Sequence, residues 1–421
     1  MGKFITKRTV LITITAVLFL VAWNRNINLL YGMFAILSSL IILSHLLPRY
    51  SINGLTVTRT IQPAAFEDDE VDVKVCIEKN AWTKGYMIEI TDTVPSAASS
   101  LRNPMLFVAQ LPVKKKREYS YKTVCFKRGV YTVGPMTVSS SYPLGISSAS
   151  KPAGGDGETF TVYPKLFSIA ALPLLTGTAM PMSGTEVMAK SGGNEDFFGT
   201  REYRHGDSLK FIHWPSTARH GHLIVKEFEM RASTEITVLI DLHKDSCSGS
   251  GRETTLEYAV KIAGSIAQYA LGRGHHVQLV GYGEQPHIVP SSRGMDQLAL
   301  ILESLAQVQA DGSVPYHQAI IRSAGLLRDG ETIILIFSRL DFDLRDFVYP
   351  MGILRSKRIK LVCVFLNDES FRDTTDNAET VPAAGPPGSR FEHEFIHEYA
   401  GQSPSVYAVS RGDNLQNIFI Q

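Results

Sequence analysis

Two uncharged runs, Thr9 to Trp23 and Ile27 to Leu47, open the chain and are separated only by Asn24-Arg25-Asn26. As a helix the second run extends roughly 31 Å, the thickness of a bilayer's hydrocarbon core. The first is shorter, but Trp23 is suited to the interface and Lys7 and Arg8 can extend their charged ends toward water. The short connector returns the second helix antiparallel to the first. Lys3, Lys7 and Arg8 precede the first run, Arg49 and Arg59 follow the second, and Arg25 alone lies in the turn. The positive-inside rule therefore predicts a helical hairpin over 1–50 (helices about 9–23 and 27–47) in the cytoplasmic membrane, with both termini cytoplasmic. No small-x-small cleavage site follows the first run, where the chain reads Leu-Val-Ala-Trp-Asn, and a second apolar run comes at once. Both facts argue against a cleaved signal peptide.

Apolar and polar positions then alternate with period two at Leu55–Ile61, Val71–Ile77, Met87–Thr91, Tyr119–Phe126 and Val130–Val138. Pro, Gly, Asn and Asp clusters separate these stretches, which predicts an antiparallel β-sandwich over 51–146. Residues 147–200 show little periodicity and many small residues, and 147–232, including the segment 195–229, is expected to form a connector. From 233 strand and helix alternate: strands at Ile236–Leu242, His276–Tyr282, Thr332–Phe337, Lys360–Leu366 and Ser405–Val409, with helical spacing at Glu253–Arg273, Met295–Val308, His317–Leu327, Phe342–Arg355, His393–Tyr399 and from Asn414. Unbroken Val/Ile/Leu strands joined by helices imply a parallel sheet covered on both faces. The expectation for 233–421 is a doubly wound α/β domain, with its ligand side at the carboxyl ends of the strands.

Composition narrows the function. Over 421 residues, 42 Lys+Arg against 41 Asp+Glu leave a formal charge of 42 − 41 = +1. That balance argues against a chain that grips nucleic acid through its phosphates. The basic run Lys114-Lys115-Lys116-Arg117 reads as a solvated strand edge, with anionic lipid as its other use. Four cysteines, none in a CxxC pair, exclude a disulfide scaffold and a cysteine-rich zinc ribbon.

Charge is densest over 195–229, where Arg201, Glu202, Tyr203, Arg204, Gly206 and Asp207 lead into SLKFIHWPSTARHGHLIVKEFE. The run REYRHGDSLKFIHWPSTARHGHLIVKEFE resembles the signature of the bacterial family called domain of unknown function 58. The stretches KRGVYTVGP (127–135) and SYPLGI (141–146), and the paired N-terminal helices, are similar to that family's pattern. The chain departs from it at Ser141-Tyr142, where an aspartate commonly precedes the proline. The resemblance implies a von Willebrand factor A-like C-terminal domain, a MoxR-type AAA+ ATPase as partner, and no defining enzymatic activity.

Four constellations bear on chemistry. Arg201, Glu202, Tyr203, Gly206, Asp207, His213, Trp214, Arg219, Lys226 and Glu227 form either a docking motif or an ion-pair network that locks a turn-rich segment. His213 and Ser216 share the segment, but without the elbow that exposes a catalytic serine. His205, His213, His220 and His222 are too loosely placed to define a zinc site. Asp241 matches the first ligand of a von Willebrand A cation site, but His243 and Asp245 replace its two serines and Arg339 stands where a ligand carboxylate is expected. Asp241, Asp245 and Asp341 would then be a degenerate Mg²⁺ or Ca²⁺ site. Finally, His393-Glu394-Phe395-Ile396-His397 spells HExxH, in which His393 and His397 could hold zinc and Glu394 activate its water. No metzincin histidine follows, since position 403 is Ser, and no glutamate comes after Glu398. The reading is a membrane-anchored, non-enzymatic adaptor without a required cofactor; a membrane-bound zinc hydrolase built on 393–397 is the alternative.

Overall fold

The computed structural model describes residues 7–98, 102–154, 157–170, 172, 195–205, 207–230, 234–338, 345–372 and 405–419. The chain divides into two compact units, Met1–Lys165 and Leu166–Gln421.

The first unit opens with helices α1 (Lys7–Arg25) and α2 (Asn28–Ile52), joined by the short turn that the Asn-Arg-Asn connector predicts. Both are long and apolar enough to cross a membrane. Phe19 on α1 meets Phe34 on α2 with ring centroids 4.8 Å apart. α2 runs past the apolar stretch, and its last residues, Ser51 and Ile52, are buried among the strands that follow.

Those strands are β1 (Leu55–Thr60), β2 (Ala64–Phe66), β3 (Glu70–Lys79), β4 (Gly85–Thr91), β5 (Met105–Leu111), β6 (Lys116–Val124), β7 (Gly129–Val133), β8 (Met136–Ser140), β9 (Ala149–Ala153) and β10 (Glu158–Tyr163). They form three sheets, in the orders β1-β3-β6, β2-β10-β7 and β5-β4-β8-β9. Period-two alternation buries Val71, Val73, Val75 and Ile77 of β3 against Ile88, Ile90, Val138, Phe160 and Val162 in one core. Full burial of each such side chain contributes about 1.5–3 kcal/mol.

Three features depart from the period-two reading. The stretch 130–138 is two strands, because the chain turns at Gly134-Pro135. β5 has no alternation to read, since Met105 and Phe107 are exposed. The β-rich unit also continues beyond position 146, where β9 pairs with β8 and β10 with β2 and β7.

The second unit contains a hairpin of β11 (Glu195–Glu202) and β12 (Ile224–Met230), whose connection holds helix α3 (Trp214–His220). Then come β13 (Glu235–Ile240), the short pair β14 (Gly249–Ser250) and β15 (Glu253–Thr254), α4 (Thr255–Gly272), β16 (His276–Tyr282), β17 (Pro286–Ser292), α5 (Met295–Gln307), α6 (Tyr316–Ser323), β18 (Thr332–Phe337), α7 (Arg345–Ser356), β19 (Lys360–Leu366), α8 (Asp368–Phe371), β20 (Ser405–Val409) and α9 (Leu415–Ile418). One six-stranded sheet orders them β17-β16-β13-β18-β19-β20, all parallel except β17. Tyr316, Ile320, Phe347 and Met351 of α6 and α7 cover the face that shows Leu239, Leu335, Phe337 and Cys363. β18 is buried along its whole length, as an unbroken Ile/Leu run requires of a strand covered on both sides.

The antiparallel strand β17 was not anticipated in the sequence; it contains Pro286 and Pro290. It lies at the sheet edge, and its register with β16 shifts at the point where Pro290 would otherwise have to pair. Edge and bulge are where proline is tolerated.

Candidate functional site

β13 and β18 are neighbours at the centre of the sheet, and the chain leaves them toward opposite edges. In open α/β sheets the crevice at such a reversal, outside the carboxyl ends of the strands, is where ligands bind. Asp241 follows β13 there and Ser338 follows β18. The Asp241 amide donates to Ile336 O at 3.0 Å, so the ladder continues to the brink of the crevice.

The side chains at this point tie down one loop. The His243 amide donates to Asp241 Oδ1 at 3.0 Å, and the Ser246 hydroxyl also bonds the Asp241 carboxyl. Thr255 Oγ1 donates to Ser246 O at 2.9 Å, and Ser338 Oγ donates to the same carbonyl. Burial pushes the Asp241 carboxyl above the usual carboxylate range; the donors from Ser246 and His243 pull the other way but less strongly. Asp241, Ser246, Cys247, Thr255 and Ser338 line a cavity of about 10 Å³, room for one water-sized object. Gly312 closes the loop from the other side, exchanging hydrogen bonds with Leu242 O and Lys244 N–H at 2.9 Å each. A Cβ at position 312 would sit 2.3 Å from Tyr282 O, so this close approach requires glycine.

Of the three carboxylates expected to share a cation, Asp245 lies with its Oδ2 3.8 Å from His243 Nδ1 and Asp341 lies outside the described residues. Among the described residues no three His, Cys, Asp or Glu side chains converge as a metal set. His393, Glu394 and His397 also lie outside the described residues. The hydroxyls of Ser246, Thr255 and Ser338 were not singled out in the sequence. The usable signal was position: a small polar residue directly after an unbroken apolar strand, as Ser338 is after β18.

The 201–229 segment is the connection of the β11–β12 hairpin together with its flanks. Arg201 forms a fork with Asp207, Nη1 to Oδ2 at 2.6 Å and Nη2 to Oδ1 at 2.9 Å, and the Arg204 amide adds a third bond to Oδ2 at 2.8 Å. Tyr203 N–H and Leu223 O close the loop at 2.9 Å. His213 Nδ1 meets Ser216 Oγ at 2.7 Å over the first turn of α3, and Thr217 Oγ1 accepts from Ile224 N–H at 3.0 Å. Glu202 lies 3.4 Å from His222 on the surface. Lys226 is exposed on β12, Glu227 lies on the same strand and Gly206 is outside the described residues. The charged residues thus do two things. Arg201 and Asp207 hold the loop, while Arg204, Lys210, Arg219 and His220 face solvent beside Leu209, 66% exposed, and Trp214, 65% exposed. Leu209 was not anticipated; it lies in a polar run where no periodicity marks it.

The Arg201 hydrogen bonds, then the Arg204 amide, hold Asp207 down to about 2. Its folded value is lowered, so its contribution is complete above the ordinary carboxylate value of 3.8 and is lost as pH falls toward 2. Asp207→Asn removes the charge and one acceptor. It is expected to raise amide hydrogen exchange across 203–213 by about tenfold at neutral pH, while wild-type protection there persists at about pH 3. Unchanged exchange in the variant would show that the fork does not hold the loop.

The KRGVYTVGP stretch belongs to the β-rich unit and is structural there. Tyr131 Oη donates back to Lys127 O at 2.8 Å and Arg128 O at 3.2 Å, the bond pattern of a tyrosine corner. Gly134 has φ +100°, and the Arg59 guanidinium comes within 3.3 Å of where a Cβ would stand.

Fold and site together define an α/β-sheet protein whose polar site lies at the strand reversal, joined to a β-rich unit headed by two apolar helices. Residues 199–372 match the model of the family described as protein of unknown function DUF58, the family that the 201–229 segment resembles. The uncharacterized protein YeaD of Bacillus subtilis (strain 168) is 27% identical over 115 residues, 27% of this chain and 27% of that protein. The chain thus spans about a quarter of the length of this curated relative. Among solved structures, the CARDB domain of the PF1109 protein from Pyrococcus furiosus covers 26% of this chain and 91% of its own, at 10% identity and a TM-score of 0.18. Spo0M, the sporulation control protein of Bacillus subtilis, covers 26% of this chain and 50% of its own, at 10% identity and a TM-score of 0.16. Likenesses at those scores carry no argument about fold or function.

Proposed function

We propose that the protein is a membrane-anchored, non-enzymatic adaptor. In this reading α1 and α2 span the cytoplasmic membrane with both termini cytoplasmic, a β-sandwich follows, and a von Willebrand factor A-like α/β domain binds another protein. The sheet order, with a single antiparallel strand at one edge and a carboxylate at the strand reversal, supports the von Willebrand A-like reading. The observation that carries the docking role is the 201–229 segment. Its Arg201–Asp207 fork fixes a loop that presents Leu209 and Trp214 to solvent, in a segment where Arg204, Lys210 and Arg219 are also exposed. An exposed tryptophan in a segment rich in arginine has the composition of an interface centre and not of a solvated loop.

The resemblance makes a MoxR-type AAA+ ATPase the partner of choice. No cofactor is required in this reading, because the Asp241 carboxyl is buried and already engaged by Ser246 and His243. The test is binding of such a purified ATPase to the full chain in lipid nanodiscs. Replacing both Leu209 and Trp214 by alanine is expected to weaken binding by about tenfold or more, and a chelator is expected to leave it unchanged. Equal affinity of the double variant and the wild type would remove the segment from the interface. Loss of binding on chelation, restored by Mg²⁺, would bring back the cation site.

A further inference from the structure

The end of α2 is enclosed by two loops of the β-rich unit, and both carry exposed apolar side chains. The loop between β3 and β4 wraps the last turn of the helix. Thr83 Oγ1 donates to Tyr50 O at 3.3 Å, the Tyr86 amide donates to Ser51 Oγ at 3.4 Å, and Asn80 N–H reaches Gly54 O at 2.7 Å. At its tip Trp82 is as exposed as in an extended peptide. The loop between β8 and β9 is fastened to the first, since Tyr142 stacks on Tyr86 with centroids 4.9 Å apart and Ser140 Oγ donates to Tyr86 O at 2.8 Å. It exposes Leu144, and Tyr50 is exposed on the helix itself, next to Arg49.

The depth of these groups follows from the helix. Tyr50 lies three residues beyond Leu47, where the uncharged run ends, which is about 4.5 Å further along the axis. The polar interfacial layer on each side of the hydrocarbon core is about 5–7 Å thick. Thr83, which touches Tyr50, and its neighbour Trp82 therefore fall at headgroup level. Tryptophan, tyrosine and basic side chains are the groups that partition there, and Lys84 and Arg49 supply the charge.

We infer that Trp82, with Tyr50 and Leu144, forms an interfacial foot by which the β-rich unit rests in the headgroup layer of the bilayer that α2 spans. The inference depends on the membrane-spanning reading of α1 and α2. In water the same side chains would leave a large indole wholly solvated at a site that nothing in the unit's own packing requires. In the interface they gain an apolar contact while their polar edges and the two cations stay among headgroups.

The test uses the full chain in nanodiscs of phosphatidylcholine and phosphatidylglycerol, in two single-tryptophan forms. Trp23→Phe with Trp214→Phe keeps Trp82, and Trp82→Phe with Trp214→Phe keeps Trp23; all three positions are exposed, so folding does not depend on them. The expected result is that Trp82 emission is shifted to the blue, weakened by a nitroxide placed high on the lipid chain, and shielded from aqueous iodide. Full iodide quenching of Trp82 without nitroxide quenching overturns the foot, and so does shielding from both quenchers, which would mean a protein cover. Trp23 separates the two levels of failure. If the nitroxide quenches Trp23 but not Trp82, the span stands and the foot falls; if it quenches neither, both fall.

Discussion

Replacing Asp92 by alanine is expected to destabilise the β-rich unit by about 3–5 kcal/mol, because it strands a buried charge. Asp92 accepts from Arg59 Nη1 at 3.0 Å, from Tyr121 Oη at 2.6 Å and from the Thr93 amide at 2.8 Å. The Arg59 and Asp92 side chains are only 6% and 3% exposed. Burial, and then the hydrogen bond to Asp92, raise the Tyr121 hydroxyl far above its ordinary value, so that it remains a donor at any working pH. Without Asp92 the guanidinium keeps Val133 O at 2.8 Å and the half-exposed Glu158 at 3.5 Å, a longer and more solvated counter-charge than Asp92. Tyr121→Phe should cost only about 1 kcal/mol. Arg59→Met combined with Asp92→Leu should recover much of the single-variant loss, because no charge is then left buried. Thermal or denaturant melts of the detergent-solubilised chain read all three. An Asp92→Ala loss no larger than that of Tyr121→Phe would show that the pair is not desolvated as described.

The second large effect is expected at Lys79, whose side chain is fully buried. Its Nζ donates to Tyr50 O at 2.9 Å and Ser51 O at 2.5 Å. These are carbonyls of the last turn of α2, which has no intrahelical donors left to offer them. The cation also lies at the negative end of the helix dipole. Lys79→Met keeps most of the volume and removes the donors. It is expected to destabilise the joint by about 2 kcal/mol and to open residues 49–54 to amide exchange before the sheets melt. Burial first, and the nearby Lys151 charge second, lower the Lys79 amine to about 8 from 10.5. The unfolded chain therefore binds more protons between those values, so stability rises with pH across that window. The margin of wild type over Lys79→Met should widen as pH is raised from about 8. A constant margin would mean that the amine is not desolvated.

How much of this was legible depends on what each residue does. Strands β16, β18 and β19 were readable to the residue, since burial on both faces leaves a largely apolar run bounded by polar turns; the edge strand β20 was readable from its short run of Val and Tyr. β5 and β17 were not, because one exposes its apolar side chains and the other accommodates two prolines at an edge. Asp241 was legible as a candidate because it directly follows such a run, at the position of the first ligand in a von Willebrand A cation site. The loop that engages it was not, since the hydroxyls of Ser246, Thr255 and Ser338 come from three separate segments that only the sheet order brings together. The charge density of 201–229 pointed to ion pairing, yet Arg201 finds Asp207 while Arg204 and Arg219 face solvent. A sequence lists the charges but not their partners. Lys79 was invisible for a similar reason: at the end of an alternating strand, a lysine reads as a surface residue.

The joint between α2 and the first sheet has a mechanical meaning. A domain tethered by a flexible linker explores a volume that grows with linker length and exerts only the soft restoring force of a coil. Here there is no linker, since Ile52 is already part of the core in which Leu55 opens the first strand. On the membrane-spanning reading, the β-rich unit is a lever arm rigidly set on its post. A lateral load applied to it by a partner would pass into the bilayer as a tilt of α2 and would not be absorbed by slack in the chain.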